Sequence, residues 1–234
     1  MTKIQELQRI STQVRRDIIR MVTNAKSGHP GGSMSSADFL TSLYFGVMKH
    51  NPAEWTREGK GQDVFILSAG HLTPVYYSIL SRAGYFPVSE LSTFRIFGTR
   101  LQGHPCVETG LPGIFQASGS LGQGLSAAAG IALGKKLDKE TENVYVMLGD
   151  GECEEGQVWE AAMFAGNRKL DNLVAIVDYN NLQIDGSLDE VNSPYPIKEK
   201  FEAFNWNVIE ICGHCFDQIE EAFNKADECK GKPT

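Results

Sequence analysis

The chain has 234 residues, of which 41% are hydrophobic and 22% are charged, and its formal net charge is −7 at pH 7. This length and composition are ordinary for a soluble globular protein that can bury a sizeable core. The acidic balance argues against a nucleic-acid-binding surface, and no apolar run approaches the length of a membrane span.

The cysteine content and the N-terminal residues indicate the cellular compartment. Five cysteines without a secretory signal predict reduced thiols. Residues 1–16 are polar and charged, unlike a signal peptide. We therefore expect a cytoplasmic protein with neither a membrane nor a nucleic acid as its partner.

Apolar residues that recur at three- and four-residue steps predict helices, and short β-rich apolar runs predict strands. Residues 27–32 should break the first helix, and Ser35 or Ser36 should cap the next one. Residues 84–118 should be irregular. The predicted helices cover residues 3–26, 37–48, the segment around 76–80, 121–137, 159–167, 198–204 and 217–229. The predicted strands cover residues 63–68, 144–148, 173–177 and 208–211.

Strands 144–148 and 173–177, with one helix between them, form a βαβ unit. Such units place the two strands parallel and adjacent, with their carboxyl ends at one edge of the sheet. The predicted fold class is therefore α/β, a doubly wound and mostly parallel sheet with helices on both faces. No linker interrupts it, so we expect residues 1–234 to form a single domain. Residues 230–233 resemble a turn into another strand, and we expect the domain to lack its last strand.

Polar residues follow both strands of this unit, at the edge where open α/β sheets bind ligands. Mg²⁺ prefers octahedral oxygen coordination and shares its shell with substrate phosphates. The Asp150 carboxylate, the Asn180 side-chain carbonyl and the Leu182 backbone carbonyl would leave three positions for diphosphate oxygens and water. Gly151 would bring its N–H to a phosphate at the start of a helix, where the dipole favours anions. The alternative is a plain turn in which Asp150 caps the helix.

Three histidines, His29, His71 and His104, each follow a glycine in a small-residue segment. A glycine before the histidine keeps the backbone slim and lets the imidazole point into a cleft. Imidazoles suit hydrogen bonding to sugar hydroxyls and proton transfer near neutral pH. The spacing does not fit a zinc site. A single such histidine is more often structural, but three with matching flanks predict a shared pocket.

Two further motifs have competing interpretations. Residues 122–127 match the G-x-G-x-x-A dinucleotide fingerprint, but no convincing strand precedes them, so tight helix packing is favoured over a nicotinamide site. Cys212 and Cys215 could be a redox dithiol or half of a zinc site. Two reduced cysteines in a strand–helix turn are favoured instead.

Taken together, the motifs resemble the N-terminal, diphosphate-binding half of transketolase, in order and over nearly all of the chain. The residues that carry this resemblance are 27–32, 67–74, 102–105, 119–126, 149–156 and 178–186. It implies the thiamine diphosphate-binding fold, with a diphosphate-type (PP-type) domain. It also implies thiamine diphosphate as the cofactor, with Mg²⁺ or Ca²⁺.

The resemblance also assigns site residues, position by position. The implied metal ligands are Asp150, Asn180 and Leu182. The implied cofactor-binding residues are His71, Gly119, Ser120, Leu121, Gly151, Glu155 and Asn180. The implied catalytic residues are His29, His71 and His104, of which His29 and His104 face the ketose donor. The implied reaction transfers a two-carbon ketol unit between sugar phosphates, as in the pentose phosphate pathway.

In the family, the activating glutamate and the arginines that hold sugar phosphate lie in a second domain, and another cofactor-side histidine lies beyond residue 234. The chain therefore resembles the N-terminal subunit of a split transketolase. It would need a second copy of itself and a C-terminal subunit, in an α2β2 assembly. The alternatives are the α subunit of a 2-oxo acid dehydrogenase, a deoxyxylulose phosphate synthase type of enzyme, or a non-catalytic cofactor-binding half.

Overall fold

The computed structural model describes residues 2–184 and 186–234. The α-helices are α1 (Lys3–Ala25), α2 (Pro30–Ser35), α3 (Ala37–Ser42), α4 (Thr73–Arg82), α5 (Gln123–Leu137), α6 (Gly156–Asn167), α7 (Leu188–Val191), α8 (Ile197–Ala203) and α9 (Phe216–Glu228). The strands are β1 (Val64–Leu67), β2 (Val144–Gly149), β3 (Leu173–Asp178), β4 (Leu182–Gln183) and β5 (Gly186–Ser187). Across the described part of the chain, no helix combines the length and the apolar character needed to cross a membrane.

Three parallel strands form the central sheet, in the order β1-β2-β3. Successive side chains of a strand point to opposite faces, and both faces are apolar here, as a doubly covered parallel sheet requires. Phe65, Tyr145 and Met147 pack with α1, α3, α4 and α9 on one face. Val64 and Val146 pack with α5, α6 and α8 on the other. The predicted α/β sheet with helices on both faces is confirmed.

The predicted strand at residues 208–211 is wrong, because these residues are not in a strand. A strand needs a ladder partner, and within the described residues none pairs with this segment. It lines a cleft beside β3 instead. Thr234 N donates to Leu173 O at 3.1 Å, and Ala175 N donates to Thr234 O at 2.8 Å. The residues at this end of the chain therefore already bond to the β3 edge.

The segment after α1 differs from the prediction as well. Helix α2 begins at Pro30, so Gly31 and Gly32 lie inside a helix rather than in the break. The Ser36 hydroxyl donates to the Gly32 carbonyl at 2.6 Å, and no side-chain cap opens α3. Proline is well suited to the first helical position because its ring presets φ and it has no N–H to satisfy. The helix therefore starts ahead of the predicted cap region.

All five cysteines are free. The backbone N–H of Cys215 donates to the Cys212 carbonyl at 3.0 Å, in the turn before α9. This agrees with the interpretation of two reduced cysteines in a turn.

Candidate active site

Asp150 lies where β2 ends, beside the end of β3. Parallel pairing places Gly149 opposite Asp178, so the residues that follow the two strands are neighbours. The Asp150 carboxylate accepts the N–H of Gly151 at 2.9 Å and the N–H of Asn181 at 2.6 Å. Its side chain is almost completely buried. The predicted juxtaposition at the sheet edge is therefore present and held by backbone donors.

Electrostatics at this edge favour a cation. Burial raises the pKa of the Asp150 carboxyl, and the nearby charge of Asp178 raises it further. A divalent cation between them would offset both effects. No cluster of three His, Cys, Asp or Glu side chains suited to a metal occurs in residues 2–184 and 186–234. The predicted metal site needs no such cluster. Besides the Asp150 carboxylate, its ligands are the Asn180 side-chain amide and the Leu182 backbone carbonyl, which suit Mg²⁺.

The orientation of Asn180 depends on Asp178, which the sequence analysis missed. The Asn180 Nδ2 donates to Asp178 Oδ2 at 3.0 Å, and Leu182 N donates to Asn180 Oδ1 at 2.9 Å. The Ser35 hydroxyl donates to the same Asp178 oxygen. An amide oxygen has two lone pairs, so Asn180 Oδ1 can accept this bond and still ligate a metal. The signal for Asp178 was its position, two residues before Asn180 at the end of β3.

Gly151 is not at the start of a long helix. Residues Gly151–Glu154 form a short 3₁₀ turn, and α6 begins at Gly156. The Gly151 N–H is bonded to Asp150, as noted above. The predicted effect of a helix dipole on the Gly151 N–H is therefore wrong, although the Gly151 backbone lies beside Asp150 as predicted.

Glu152 is a second residue that the sequence analysis passed over. Its buried carboxylate accepts the N–H of Gly122 at 2.8 Å, the N–H of Gly149 at 3.2 Å and the hydroxyl of Ser68. It thus joins the ends of β1 and β2 to the segment before α5. Glu155, for which a cofactor-side role was predicted, is exposed. Glu152 was hard to recognise because an acid after Gly-Asp-Gly looks like an ordinary first-turn residue.

The three histidines come together, as predicted. The rings of His29 and His71 lie edge to face, with centroids 4.9 Å apart. A Cβ placed on Gly119 would lie 3.7 Å from the His104 ring, so His104 meets the segment that leads into α5. Burial lowers the pKa of His71 to about 4, with further lowering by the charges of His29 and His104. The pocket therefore brings together loops from three separate parts of the chain.

A different steric constraint favours glycine at each of the three positions that precede a histidine. Gly28 has a φ of +136°, which side-chain-bearing residues rarely adopt. A Cβ on Gly70 would lie 2.8 Å from the Ser118 carbonyl carbon, and a Cβ on Gly103 would lie 2.8 Å from the guanidinium carbon of Arg95. Close packing against backbone therefore explains Gly70, whereas Gly103 abuts the flexible end of the Arg95 side chain.

The segment of Gly119, Ser120 and Leu121 runs past His104 into α5. Gly119 and Ser120 are exposed and Leu121 is half-buried. Residues 110–122, all of them described, contain no strand, so the strand that a dinucleotide fingerprint needs is missing here. A Cβ on Gly124 would lie 2.5 Å from the Ser68 side chain. The glycines of this motif therefore serve close packing.

Comparisons with known proteins agree with this geometry. The family model described as transketolase, thiamine diphosphate binding domain, matches residues 7–234. The chain belongs to the transketolase family. The predicted family and fold class are thus confirmed.

Among its relatives is a 6-deoxy-6-sulfo-D-fructose transketolase subunit of Clostridium sp. (strain MSTE9), 43% identical over 97% of this chain and 83% of the relative. An apulose-4-phosphate transketolase subunit of Phocaeicola vulgatus is 39% identical over 99% of this chain and 81% of its own length. Among solved structures, the transketolase of Campylobacter jejuni superposes with a TM-score of 0.91 at 33% identity. That match covers 99% of this chain but 37% of the other.

In its length, this chain resembles the relatives that are named transketolase subunits rather than a full-length transketolase. The chain spans little more than a third of the length of the transketolase from Campylobacter jejuni. It spans more than four-fifths of the two subunit relatives. The assignment to the N-terminal subunit of a split transketolase is confirmed.

Proposed function

We propose that this chain, with a complementary C-terminal subunit, transfers a two-carbon ketol unit from a ketose phosphate to an aldose phosphate. Thiamine diphosphate and Mg²⁺ or Ca²⁺ are the proposed cofactors, and α2β2 is the proposed assembly. The gathering of His29, His71 and His104 in one pocket is the observation that carries this proposal. A cytoplasmic location and a part in the pentose phosphate pathway remain expectations from the sequence.

The proposed metal site uses Asp150, Asn180 and the Leu182 carbonyl. Asp150 is preorganised because two backbone N–H groups fix its carboxylate, as described above. Leu182 lies in β4, which pairs antiparallel with β5, two residues after the amide that its N–H orients. When bound, thiamine diphosphate would supply the chemistry of C–C bond cleavage and would stabilise the two-carbon fragment. Gly151 and His71 would contact the diphosphate, and Glu155 and the segment of Gly119, Ser120 and Leu121 would contact the rest of the cofactor.

The proposed role of His29 and His104 is to bind and deprotonate sugar hydroxyls. Burial and the charge of Arg95 lower the pKa values of both histidines. Both imidazoles are therefore neutral near pH 7, and a neutral imidazole offers one donor and one acceptor. This is the form that can take a proton from a hydroxyl group and return it.

We further propose that residues 1–234 act as one thiamine diphosphate-binding domain whose sheet takes a further strand. The two apolar clusters that sandwich a common sheet support a single domain. The bonds of Thr234 to Leu173 and Ala175 support a place for that strand beside β3.

The 2-oxo acid alternative is less well supported. A 2-oxo acid has fewer hydroxyl groups for three histidines to bind. The subunit relatives are both named for sugar substrates, a sulfofructose and apulose 4-phosphate. A deoxyxylulose phosphate synthase or a non-catalytic half has no separate observation in its favour.

The discriminating experiment compares donors. The chain is co-expressed with its complementary subunit, loaded with thiamine diphosphate and Mg²⁺, and given xylulose 5-phosphate or pyruvate as the donor. We expect cleavage of the ketose phosphate and no decarboxylation of pyruvate. Release of carbon dioxide from pyruvate, without ketose cleavage, would overturn the proposal in favour of 2-oxo acid chemistry.

A further inference from the structure

Glu152 follows the sheet edge that carries Asp150, and the proposed function gives it no role. Its side chain is almost completely buried, and burial raises the pKa of its carboxyl group. A carboxylate is costly to bury unless hydrogen bonds replace the water that it loses. The reason for an acid at this position must therefore lie in the groups that surround it.

The two carboxylate oxygens of Glu152 face two different parts of the site. Oε2 accepts the N–H of Gly149 at 3.2 Å, and Gly149 is the last residue of β2. Oε1 accepts the N–H of Gly122 at 2.8 Å and the hydroxyl of Ser68. One side chain thus connects the residue just before Asp150 with the residue at the start of α5.

Helix α5 depends on this connection at its N-terminus. Its N-cap residue is Gly122, and no side chain caps the helix from that position. The Ser68 hydroxyl accepts the N–H of Gly124 at 3.1 Å instead, which is the kind of bond that a serine at the N-cap itself would make. Glu152 accepts the N–H of Gly122 and orients the Ser68 hydroxyl. Side chains that follow β1 and β2 therefore fix the start of α5.

The glycines at this helix start allow the close approach. Gly122 has a φ of +82°, which residues with a side chain rarely adopt, and a Cβ there would lie 2.8 Å from the Glu155 Cβ. A Cβ on Gly124 would collide with Ser68, as described above. Residues 119–121, the proposed contacts of the cofactor beyond its diphosphate, lead directly into Gly122. The position of Gly122 therefore fixes one end of residues 119–121.

We propose that Glu152 is a positioning residue, which holds residues 119–121 in a fixed place relative to the Asp150 edge, so that both are preorganised for one ligand that spans them. A carboxylate suits this role because both of its oxygens accept, whereas an amide accepts on one side only. The proposed ligand is thiamine diphosphate, with its diphosphate at the Asp150 edge. The inference rests on the proposed function for the identity of this ligand but not for the link itself.

The first experiment tests the link without any ligand. Amide hydrogen exchange of the full chain is followed by NMR in the wild type and in Glu152→Gln. Whichever way the glutamine amide turns, Gly122 or Gly149 faces a donor instead of an acceptor. We expect the N–H of one of them to exchange about tenfold faster or more. The N–H of Asn181, which Asp150 accepts, is the internal reference and should not change. Unchanged exchange at both glycines would overturn the proposal.

The second experiment compares two ligands by calorimetry, in the complex with the C-terminal subunit. Inorganic pyrophosphate with Mg²⁺ probes the Asp150 edge alone, and thiamine diphosphate with Mg²⁺ probes both parts. Pairing with β3 still holds Gly149, so Glu152→Gln should leave the Kd of pyrophosphate within about threefold. Thiamine diphosphate would have to order residues 119–121 when it binds. Its Kd should therefore rise about tenfold or more.

Two further variants are matched to this one. Glu160→Gln removes the same charge from an exposed position of α6 and should change neither Kd. Ser68→Ala removes the acceptor of the Gly124 N–H but leaves both backbone bonds of Glu152, so it should raise the Kd of thiamine diphosphate less than Glu152→Gln does. A larger effect of Ser68→Ala would contradict the role of Glu152, by placing the link in the serine.

The remaining outcomes are also decisive. A parallel loss of affinity for both ligands, or a Glu152→Gln chain that circular dichroism shows to be unfolded, would overturn the proposal in favour of a purely structural role. Unchanged affinity for thiamine diphosphate would overturn it as well. If the wild-type complex binds pyrophosphate but not thiamine diphosphate, the proposed function fails, while hydrogen exchange still decides whether Glu152 links the two parts of the site.

Discussion

The two ends of the candidate site are built in different ways. The Asp150 end lies where two adjacent parallel strands stop, and backbone N–H groups hold its carboxylate. The histidine end consists of loops distant in sequence, brought together by glycine packing, with neutral imidazoles beside the cation of Arg95. The first end is therefore a buried, acidic, preformed cradle. The second is an assembly of loops held together by close packing. We expect substitution of Asp150 at the first end to abolish cofactor binding and substitution of His29 or His104 at the second to impair turnover.

The largest effect is expected at the acidic end. Asp150→Asn keeps the shape of the side chain but removes its charge, so thiamine diphosphate should no longer bind in a Mg²⁺-dependent way. Loss of a neighbour that merely orients a metal ligand typically costs about 10- to 100-fold, so we expect at least about a 100-fold increase in Kd, measured by calorimetry. Circular dichroism melting serves as the control for folding. Unchanged metal-dependent affinity would show that the metal assignment is wrong.

At the histidine end, the effect should fall on the reaction instead. His104→Ala should lower kcat of the complete complex about 100- to 10,000-fold, because a positioned general base contributes that much. The Kd of thiamine diphosphate should stay within about threefold, as calorimetry would show for the same variant. Loss of cofactor binding in this variant would contradict a donor-facing role and would erase the functional difference between the two ends.

The packing behind the histidine loops should matter for stability. Gly70→Ala forces a Cβ into the backbone of Ser118, and overpacking of this kind costs about 1–3 kcal/mol of unfolding free energy. Gly130, on the exposed side of α5, has open space around its Cβ position. Gly130→Ala should therefore leave the isolated chain as stable, or stabilise it by about 0.5–1 kcal/mol. Urea unfolding measures both variants, and equal stabilities would refute the packing argument.

The smallest effect concerns pH. The pKa of His71 falls from an ordinary value of 6.5 to about 4 in the folded chain. As the pH drops from about 6.5 to 4, the unfolded chain gains a proton at this site while the folded chain does not, so stability falls over this range. His71→Asn should flatten that part of the curve, measured by urea unfolding at several pH values between neutrality and the folded pKa. An identical slope in both proteins would mean that His71 titrates normally when folded.

The difference between the two ends also explains what the sequence could predict. The βαβ pattern predicted the juxtaposition of Asp150 and Asn180, because parallel pairing brings the residues after adjacent strands together whatever their sequence separation. It did not identify Glu152 or Asp178, whose roles depend on which backbone N–H groups and hydroxyls face them in three dimensions. The strand predicted at residues 208–211 failed for a similar reason, since a strand requires a partner that local periodicity cannot provide.

The histidine pocket was predicted from repeated flanks and a family resemblance rather than from topology. Periodicity says nothing about how the loops of His29, His71 and His104 approach one another. Arg95 carried no signal in its irregular region, because its left-handed backbone and its place beside His29 and His104 depend on three-dimensional packing. Such features become visible only when the packing is known.

The most direct test of the account is complementation. This chain and its C-terminal partner are purified separately, and ketol transfer from xylulose 5-phosphate to ribose 5-phosphate is measured for each alone and for the mixture, with thiamine diphosphate and Mg²⁺. We predict activity only in the mixture, and its loss when either cofactor is removed. Full activity of this chain alone, or none in a mixture shown to form a stable complex, would contradict the account.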